Sequence, residues 1–234
     1  MKIALLGYGK MGKTIERIAL ERGHSIIAKL GRKDSIIDGI SNADLVIEFT
    51  SPESVLDNLY KVIPTGIPLV CGTTGWNDHL SDIEKLVAEN NGSMVHASNF
   101  SLGVNLFFEL NKKLAQMMHS FPEYDVSMQE IHHTEKKDAP SGTAITLFEG
   151  ISEKLDKKEW HLGKQSNEQS IAIEALREED VKGTHSVLYK NEIDSIEIIH
   201  KANTRDGFAL GSIIAAEWIS NKKGIYTMKD VLGL

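Results

Sequence analysis

A single cysteine, Cys71, stands in this 234-residue chain, so no internal disulfide can form and a disulfide-stapled scaffold is excluded. Long apolar runs are missing too: none approaches the ~18 residues that suggest a membrane-spanning helix. The opening Met1-Lys2-Ile3-Ala4-Leu5-Leu6-Gly7 lacks the apolar stretch and small-residue cleavage site of a secretory signal, so a cytoplasmic protein is expected. Positive charge is in short supply. With 26 Lys and Arg against 33 Asp and Glu the formal net charge is -7, which argues against nucleic acid or a membrane surface as partner, because either would normally need a basic stripe. There is no internal repeat or low-complexity tract. What remains is an ordinary soluble composition, 41% hydrophobic and 25% charged, with length for one large domain or two modest ones.

The pattern along the chain favours two. Lys2 to Leu6 is a short apolar run ending at Gly7, and Met11 to Arg22 places Ile15, Ile18 and Ala19 at helical spacing before Gly23. Further short apolar runs at 25–30, 45–49, 68–70 and 94–96 alternate with helical patterns at 53–62 and 80–89. Alternating strands and helices imply a doubly wound parallel sheet of Rossmann type, covered on both faces. After Asn99-Phe100-Ser101-Leu102-Gly103 the rhythm changes to a long helix at 104–119, a strand at 125–132 and a helix at 143–155. Strands at 171–176, 184–189 and 195–201 then follow one another without helices, which predicts an open mixed or antiparallel sheet in a second α+β domain. The polar stretch 156–170 reads as a connecting loop, and 208–220 as a final helix returning to the first domain. The expected division is 1–102 plus 206–234 for a dinucleotide-binding domain and 103–205 for a domain of substrate binding and oligomerisation. Ile196 and Ile198 fall on one face of the last strand and Ile199 on the other, so both faces of that sheet need cover, from the same chain or from a partner subunit.

The loop Gly7-Tyr8-Gly9-Lys10-Met11-Gly12 follows a strand and opens a helix, the context in which Gly-x-Gly-x-x-Gly binds a dinucleotide. Gly7 permits the tight turn, Gly9 admits the pyrophosphate to the backbone, and Gly12 allows close packing of helix on strand. An NAD site usually carries an acidic residue after the second strand, whereas Gly31-Arg32-Lys33 stands here. Two cations at that place suit a 2′-phosphate, so NADPH is expected ahead of NADH, with Asp34 as a rival that would make the preference dual. Cys71-Gly72-Thr73-Thr74-Gly75 follows another strand and should border the cofactor, its glycines allowing approach and its hydroxyls offering hydrogen bonds. Cys71 itself reads as a buried strand-end thiol without an activating base rather than a nucleophile.

The chemistry concentrates between Glu130 and Ala144. His132 and His133 point to opposite faces of an extended chain and need not share a role. An imidazole can donate a proton near neutral pH, and Lys136 can stabilise a developing anion. Ser141-Gly142-Thr143 opens a helix whose free amides and hydroxyls can bind a carboxylate. Such a site suits a small anionic substrate that accepts a hydride. Metal ligation by Glu130, His132, His133 and Glu135 is the competing reading, but adjacent histidines diverge and the spacing fits no closed zinc set, so no metal is expected.

These residues resemble the dihydrodipicolinate reductase family, the 4-hydroxy-tetrahydrodipicolinate reductases of diaminopimelate and lysine biosynthesis, over nearly the whole chain. The most specific element is Glu-x-His-His-x-x-Lys-x-Asp-Ala-Pro-Ser-Gly-Thr-Ala, present from Glu130 to Ala144. Gly72-Thr73-Thr74-Gly75, Asn99 to Asn105, Arg177 with Asp180, Gly183 and His185, His200-Lys201-Ala202 and the ending 224–232 support it. The resemblance implies NAD(P)H-dependent reduction of a cyclic dicarboxylated imine with loss of water. It implies that His132 is the proton donor with Lys136 as its partner, and that His133, Lys136, Ser141, Gly142 and Thr143 hold the dicarboxylate. Gly72 and Thr74 would flank the nicotinamide, Asn99 and Phe100 would lie at the cofactor end of the domain junction, and Arg205 would sit at the returning hinge. It also implies a homotetramer joined through the second domain's sheets, with closure over bound ligands. The chain departs from the family pattern in a glycine loop shorter by one residue, in the missing second-strand acid, and in an abbreviated stretch between Gly163 and Ser170. Two other functions are kept beside this one: a nucleotide-sensing regulator without catalysis, and a reductase of another small keto or imino acid.

Overall fold

Apolar runs and amphipathic helices alternate through the computed structural model, which describes residues 1–204 and 206–234. In chain order the elements are β1 (Lys2–Leu6), α1 (Lys10–Glu21), β2 (Ser25–Leu30), α2 (Ile36–Ile40), β3 (Leu45–Glu48), α3 (Pro52–Val62), β4 (Leu69–Cys71), α4 (Leu80–Glu89), β5 (Ser93–His96) and α5 (Leu102–Met118). There follow β6 (Asp125–His132), α6 (Gly142–Ser152), β7 (Glu159–Leu162), β8 (Ser170–Arg177), β9 (Thr184–Lys190), β10 (Ser195–Lys201), α7 (Asp206–Ile219), β11 (Gly224–Tyr226) and α8 (Met228–Leu232). Two units divide them, one of residues 1–102 and 206–234, the other of residues 103–205.

In the first unit six parallel strands stand in the order β11-β5-β4-β3-β1-β2. Alternation along the strands sorts their side chains onto two faces. Ile3, Leu5, Leu45, Ile47, Val70 and Val95 pack under Ile15, Ile18 and Ala19 of α1 and Ile213, Ala216 and Ile219 of α7. Ala4, Leu6, Val46, Leu69, Cys71 and Met94 pack under Val55, Leu59 and Val62 of α3 and Ile83 and Val87 of α4. With both faces covered, the central strands are buried at nearly every position, each large aliphatic side chain contributing about 1.5–3 kcal/mol. The strand order reverses at β1, whose neighbours are β2 and β3, so a crevice opens beyond the carboxyl ends of β1 and β3.

The second unit has the strand order β10-β9-β6-β8-β7, in which β6, β8 and β7 pair in parallel and β9 runs antiparallel to both its neighbours, β6 and β10. One face packs Val126, Met128, Ile171, Ile173, Val187 and Tyr189 against Phe107, Leu114 and Met118 of α5 and Leu147, Phe148 and Ile151 of α6. The helix pair is locked by the buried Asn111, whose Nδ2 donates to the Leu147 carbonyl at 2.8 Å. On the opposite face Ile131 and Leu188 are half-buried and Ile199 is 58% exposed.

The stretch 156–170, expected to be a loop, contains β7. Its residues, Glu159-Trp160-His161-Leu162, are half polar because it is an exposed edge, and it exists through its ladder to β8. The helix expected to be final is followed by β11 and α8, and α2 also escaped notice; at three to five residues these elements are too short to show a period. No helix among the described residues is long and apolar enough to cross a membrane.

Candidate active site

The glycine loop sits at the crevice. Gly7 has φ +89° and donates its amide to the Leu30 carbonyl at 2.9 Å, and a Cβ on it would fall 2.0 Å from the Phe49 carbonyl oxygen. Gly12 lies against the Gly7 carbonyl, where a Cβ would be only 2.4 Å away. Gly9 differs: a Cβ there would meet nothing within 4 Å, and as N-cap of α1 it leaves the first-turn amides without a side-chain cap. An open flank beside unsatisfied helix amides is a cradle for phosphate, so the residues present fit a dinucleotide. Lys10 and Met11 follow as the first residues of α1. Tyr8 is tied down by its hydroxyl, which donates to Glu16, and by Lys29, which pairs with Glu16 at 2.6 Å and lies 4.8 Å over the Tyr8 ring.

After β2, Arg32 and Lys33 are exposed. Asp34 is spent on the turn, its carboxylate accepting the Gly31 amide at 2.7 Å. Arg32 acts electrostatically on Glu53, at the start of α3, helping to hold that carboxyl below its ordinary value after the larger effect of the Ser51 hydrogen bond. Beyond β4, Gly72 makes room for the Phe49 ring, which a Cβ would meet at 2.1 Å. Thr73 is buried and its hydroxyl accepts the Thr50 amide at 2.8 Å, whereas Thr74 is exposed. Behind this turn the fully buried Glu48 carboxylate accepts from Thr50, from Asn58 Nδ2 at 3.1 Å and from the Cys71 thiol at 3.4 Å. Burial, and then Glu48, push the Cys71 thiol well above its ordinary range, which makes it inert as a nucleophile. Asn99 Oδ1 accepts the Ser101 amide at 2.8 Å, while the Phe100 ring is in the core, 5.8 Å from that of Phe49, so Phe100 can reach a ligand only through its backbone. Arg205 lies outside the described residues.

The second cluster is at the carboxyl end of β6. Val126, Met128, Glu130 and His132 share the inward alternation, so the last two carry charge and a titratable ring into a buried place. Register brings His185 of β9 opposite Glu130 and Arg177 of β8 opposite His132. Glu130 is fully buried; its carboxylate accepts the Ser141 amide at 3.0 Å and pairs with Arg177 Nη1 at 3.4 Å. His132 Nδ1 and His185 Nε2 are each 3.8 Å from Glu130 Oε2, and the two rings meet edge to face at 5.0 Å. Arg177 also donates to the carbonyls of Lys136 at 3.2 Å and Asp138 at 2.6 Å, so it holds the loop that carries Lys136. Lys136 Nζ in turn pairs with both oxygens of Asp138, at 2.8 and 2.9 Å. His133 is the first residue beyond β6, and its Nδ1 is buried without a partner among the described residues.

Ser141 caps α6, its Oγ accepting the Ala144 amide at 3.2 Å and pairing with His185 Nε2 at 3.1 Å. That hydroxyl is buried and committed, whereas Gly142 is exposed with open space beside it and Thr143 is half-exposed. The amides of Gly142 and Thr143, first in the helix, precede any helical carbonyl able to accept them. Sequence reading marked the loop and the turn, weighed Glu130 only as a metal ligand, and gave no chemical role to Arg177, His185 or Asp138. A carboxylate on the buried alternation of a strand was the available signal, since such a group must find partners. Glu130, His132 and His185 place potential ligand atoms within 4.8 Å of one another, a grouping spread over two strands that spacing does not reveal. The Arg177 guanidinium on the same carboxylate opposes a further cation there.

Burial pushes the His132 imidazole below its ordinary value, against the pull of Glu130 and with the help of Lys136 and Arg177. His185 falls further, to about 3, by burial first and then by His132, His200 and Lys136. A histidine whose folded value lies below its unfolded one binds its proton more tightly when unfolded, so stability is lost as pH falls through the unfolded value toward the folded one. For His185 alone the loss between pH 7 and pH 5 is about 2 kcal/mol, taking an unfolded value near 6.5. Urea unfolding at the two pH values should show this drop, and His185→Gln should reduce it; an equal slope in the variant would assign the loss to other groups.

A Gly-x-Gly-x-x-Gly loop on a doubly wound sheet, with a second unit bearing a buried imidazole, a lysine and a Ser-Gly-Thr helix start, belongs to the class of pyridine-nucleotide-dependent oxidoreductases of small substrates. Residues 1–100 match the family model described as dihydrodipicolinate reductase, N-terminus, and residues 103–232 the one described as dihydrodipicolinate reductase, C-terminus. The chain belongs to the dihydrodipicolinate reductase family. It is 48% identical to the 4-hydroxy-tetrahydrodipicolinate reductase of Christiangramia forsetii, over 99% of this chain and 98% of that protein. It is 40% identical to the enzyme of the same name from Methanococcoides burtonii, over 82% and 74%. Its fold is similar to that of a dipicolinate-bound dihydrodipicolinate reductase from Paenisporosarcina sp. TG-14, with a TM-score of 0.76 at 22% identity, covering 97% of both chains.

Proposed function

We infer that the chain reduces 4-hydroxy-tetrahydrodipicolinate to tetrahydrodipicolinate, with loss of water, using NAD(P)H, in diaminopimelate and lysine biosynthesis. The observation that carries this is the gathering of His132 and the Ser141–Thr143 turn on one buried carboxylate, with the loop of Lys136 held beside them by Arg177, in a chain that a reductase of that name matches over 99% of its length. Among the described residues this cluster is complete, which weighs against a regulator that has lost catalysis.

Bound NAD(P)H supplies the hydride. Gly7, Tyr8, Gly9, Lys10, Met11 and Gly12 hold the pyrophosphate through their backbone, and Gly72, Thr73, Thr74, Asn99 and Phe100 border the nicotinamide end, with Thr73 and Phe100 acting through backbone groups. The hydride would go to C4 of the substrate, whose hydroxyl leaves as water, and His132 is the residue that would manage the proton. Lys136 stabilises the negative charge that builds up, which requires it to exchange Asp138 for substrate. The amides of Gly142 and Thr143 and the Thr143 hydroxyl take one carboxylate, Ser141 fixes their geometry through its cap, and His133 and Lys136 take the other. A dianion arriving beside His132 favours its charged form, so proton uptake accompanies substrate binding.

NADPH is the preferred nucleotide in this reading. Arg32 and Lys33 are exposed cations just after β2, and the adjoining acid, Asp34, is engaged with the Gly31 amide. Arg32→Ala should raise KM for NADPH by about tenfold, the order of one charge-assisted phosphate contact, and leave KM for NADH unchanged. Initial rates with each nucleotide, on substrate generated from pyruvate and aspartate semialdehyde, measure this; equal effects on both would reject a 2′-phosphate site there. The proposed assembly is a homotetramer built on the open face of the β10-β9-β6-β8-β7 sheet, where Ile199 stands exposed. The single buried thiol suits a cytoplasmic enzyme.

A further inference from the structure

Glu130 touches four residues of the second cluster, Ser141, His132, His185 and Arg177. Its Oε2 takes the Ser141 amide and lies at ion-pair distance from the facing nitrogens of His132 and His185, while Oε1 is held by Arg177. It is fully buried, and a carboxylate is kept charged in such a place only by partners of this kind. We propose that Glu130 is a positioning residue that acts through His132: its buried carboxylate, anchored by Arg177, keeps His132 able to carry a proton and joins that ring to the Ser141–Thr143 turn. The proposal rests on the proton-handling role given to His132 above.

The charges around His132 show why such a group is needed. Facing the ring are Glu130 on its own strand, Lys136 and Asp138 from the following loop, Arg177 from β8 and His185 from β9, with His200 of β10 acting electrostatically on His185. Lys136 and Arg177 oppose a proton on His132, burial opposes it more strongly, and His185 is neutral near pH 7. Asp138 is exposed and shared with Lys136, which leaves Glu130 as the larger of the two favourable influences. The same carboxylate fixes the turn, so one side chain sets the separation between the proton-bearing ring and the carboxylate-binding amides.

Glu130→Gln tests this, because the amide oxygen can still accept from Ser141 while the charge is gone. The expected result is a fall in kcat of about tenfold or more, with KM for the dicarboxylate changed by less than about threefold. The descending limb of the kcat/KM profile should move to lower pH by about one unit or more, the scale of losing one adjacent opposite charge. Ring NMR titration of His132, assigned by its absence in His132→Gln, should show the same downward shift without any turnover. In a His132→Gln background, Glu130→Gln should cost little more. An unmoved His132 titration in a variant with wild-type melting overturns the proposal, as does a loss of kcat that tracks a lowered Tm with the limb in place. Wild-type turnover in His132→Gln would instead reject His132 as the proton-handling group, and with it a catalytic purpose for Glu130, even if the titration moved.

Discussion

Replacing His132 with glutamine should lower kcat by roughly two to four orders of magnitude, the usual weight of a positioned general acid, while nucleotide affinity stays within about twofold. Glutamine keeps much of the volume and a donor near the same place but cannot carry the proton. The ring lies at the carboxyl end of β6, in the unit of residues 103–205, whereas the glycine loop belongs to the other unit. A lesion at His132 therefore changes no residue of the unit that carries Gly7 to Gly12. Lys136→Ala should also cost orders of magnitude, but with a different signature. It removes a cation from the anionic substrate as well as from the charge that develops during reduction, so KM should rise while kcat falls. Nucleotide binding by fluorescence and steady-state rates on the generated substrate separate these cases, and near wild-type turnover in either variant would reject that residue's role.

Gly211→Ala should be the most damaging small substitution in the first unit. Gly211 lies within α7 where a Cβ would fall 1.7 Å from the Phe100 carbonyl oxygen and 2.8 Å from its carbon. Both are backbone atoms that no rotamer change can move. The segment bearing Phe100 is pinned, because its ring packs on Phe49, whose own ring fills the space left by Gly72. Relief therefore needs α7 to back away from the sheet, uncovering part of the layer of Ile213, Ala216 and Ile219. A cost of about 3 kcal/mol or more is expected, a fall in Tm of roughly 6–12 °C for a chain of this size. Gly9→Ala is the control. Its φ of -83° suits any residue and its flank is open, so Tm should hold while nucleotide binding weakens. Equal melting of Gly211→Ala and the parent would show that α7 shifts without penalty.

The inner strands β1, β3, β4 and β5 of the first unit were legible because they are buried on both faces and read as apolar runs, and β1, β2 and α4 start or stop at Gly or polar boundaries that sequence marks well. What escaped were elements whose reason lies elsewhere in the chain. β7 is a strand because β8 offers it a ladder, and β11 because β5 does. The site divides in the same way. Local motifs exposed His132, Lys136 and the Ser141 turn, all within one stretch. Arg177 and His185 come from 41 to 55 residues beyond the Lys136 and Glu130 they serve, by register across three strands. Asp138 was hidden in the motif itself, and only the direction of the Lys136 side chain shows that the two are clasped.

The first unit is interrupted in sequence, and this has a temporal side. A ribosome issues β1 to β5 well before α7 and β11, and the sheet layer of Ile3, Leu5, Leu45, Ile47, Val70 and Val95 lacks the α7 part of its cover in the meantime. At about 5–20 residues per second, residues 103–205 take roughly 5–20 s to make. During that interval the second unit, continuous in sequence, can finish its own core. The nascent first unit presents an unpaired β5 edge and bare aliphatic surface, so the vulnerable period of this protein falls during its synthesis, when a holding chaperone has most to protect.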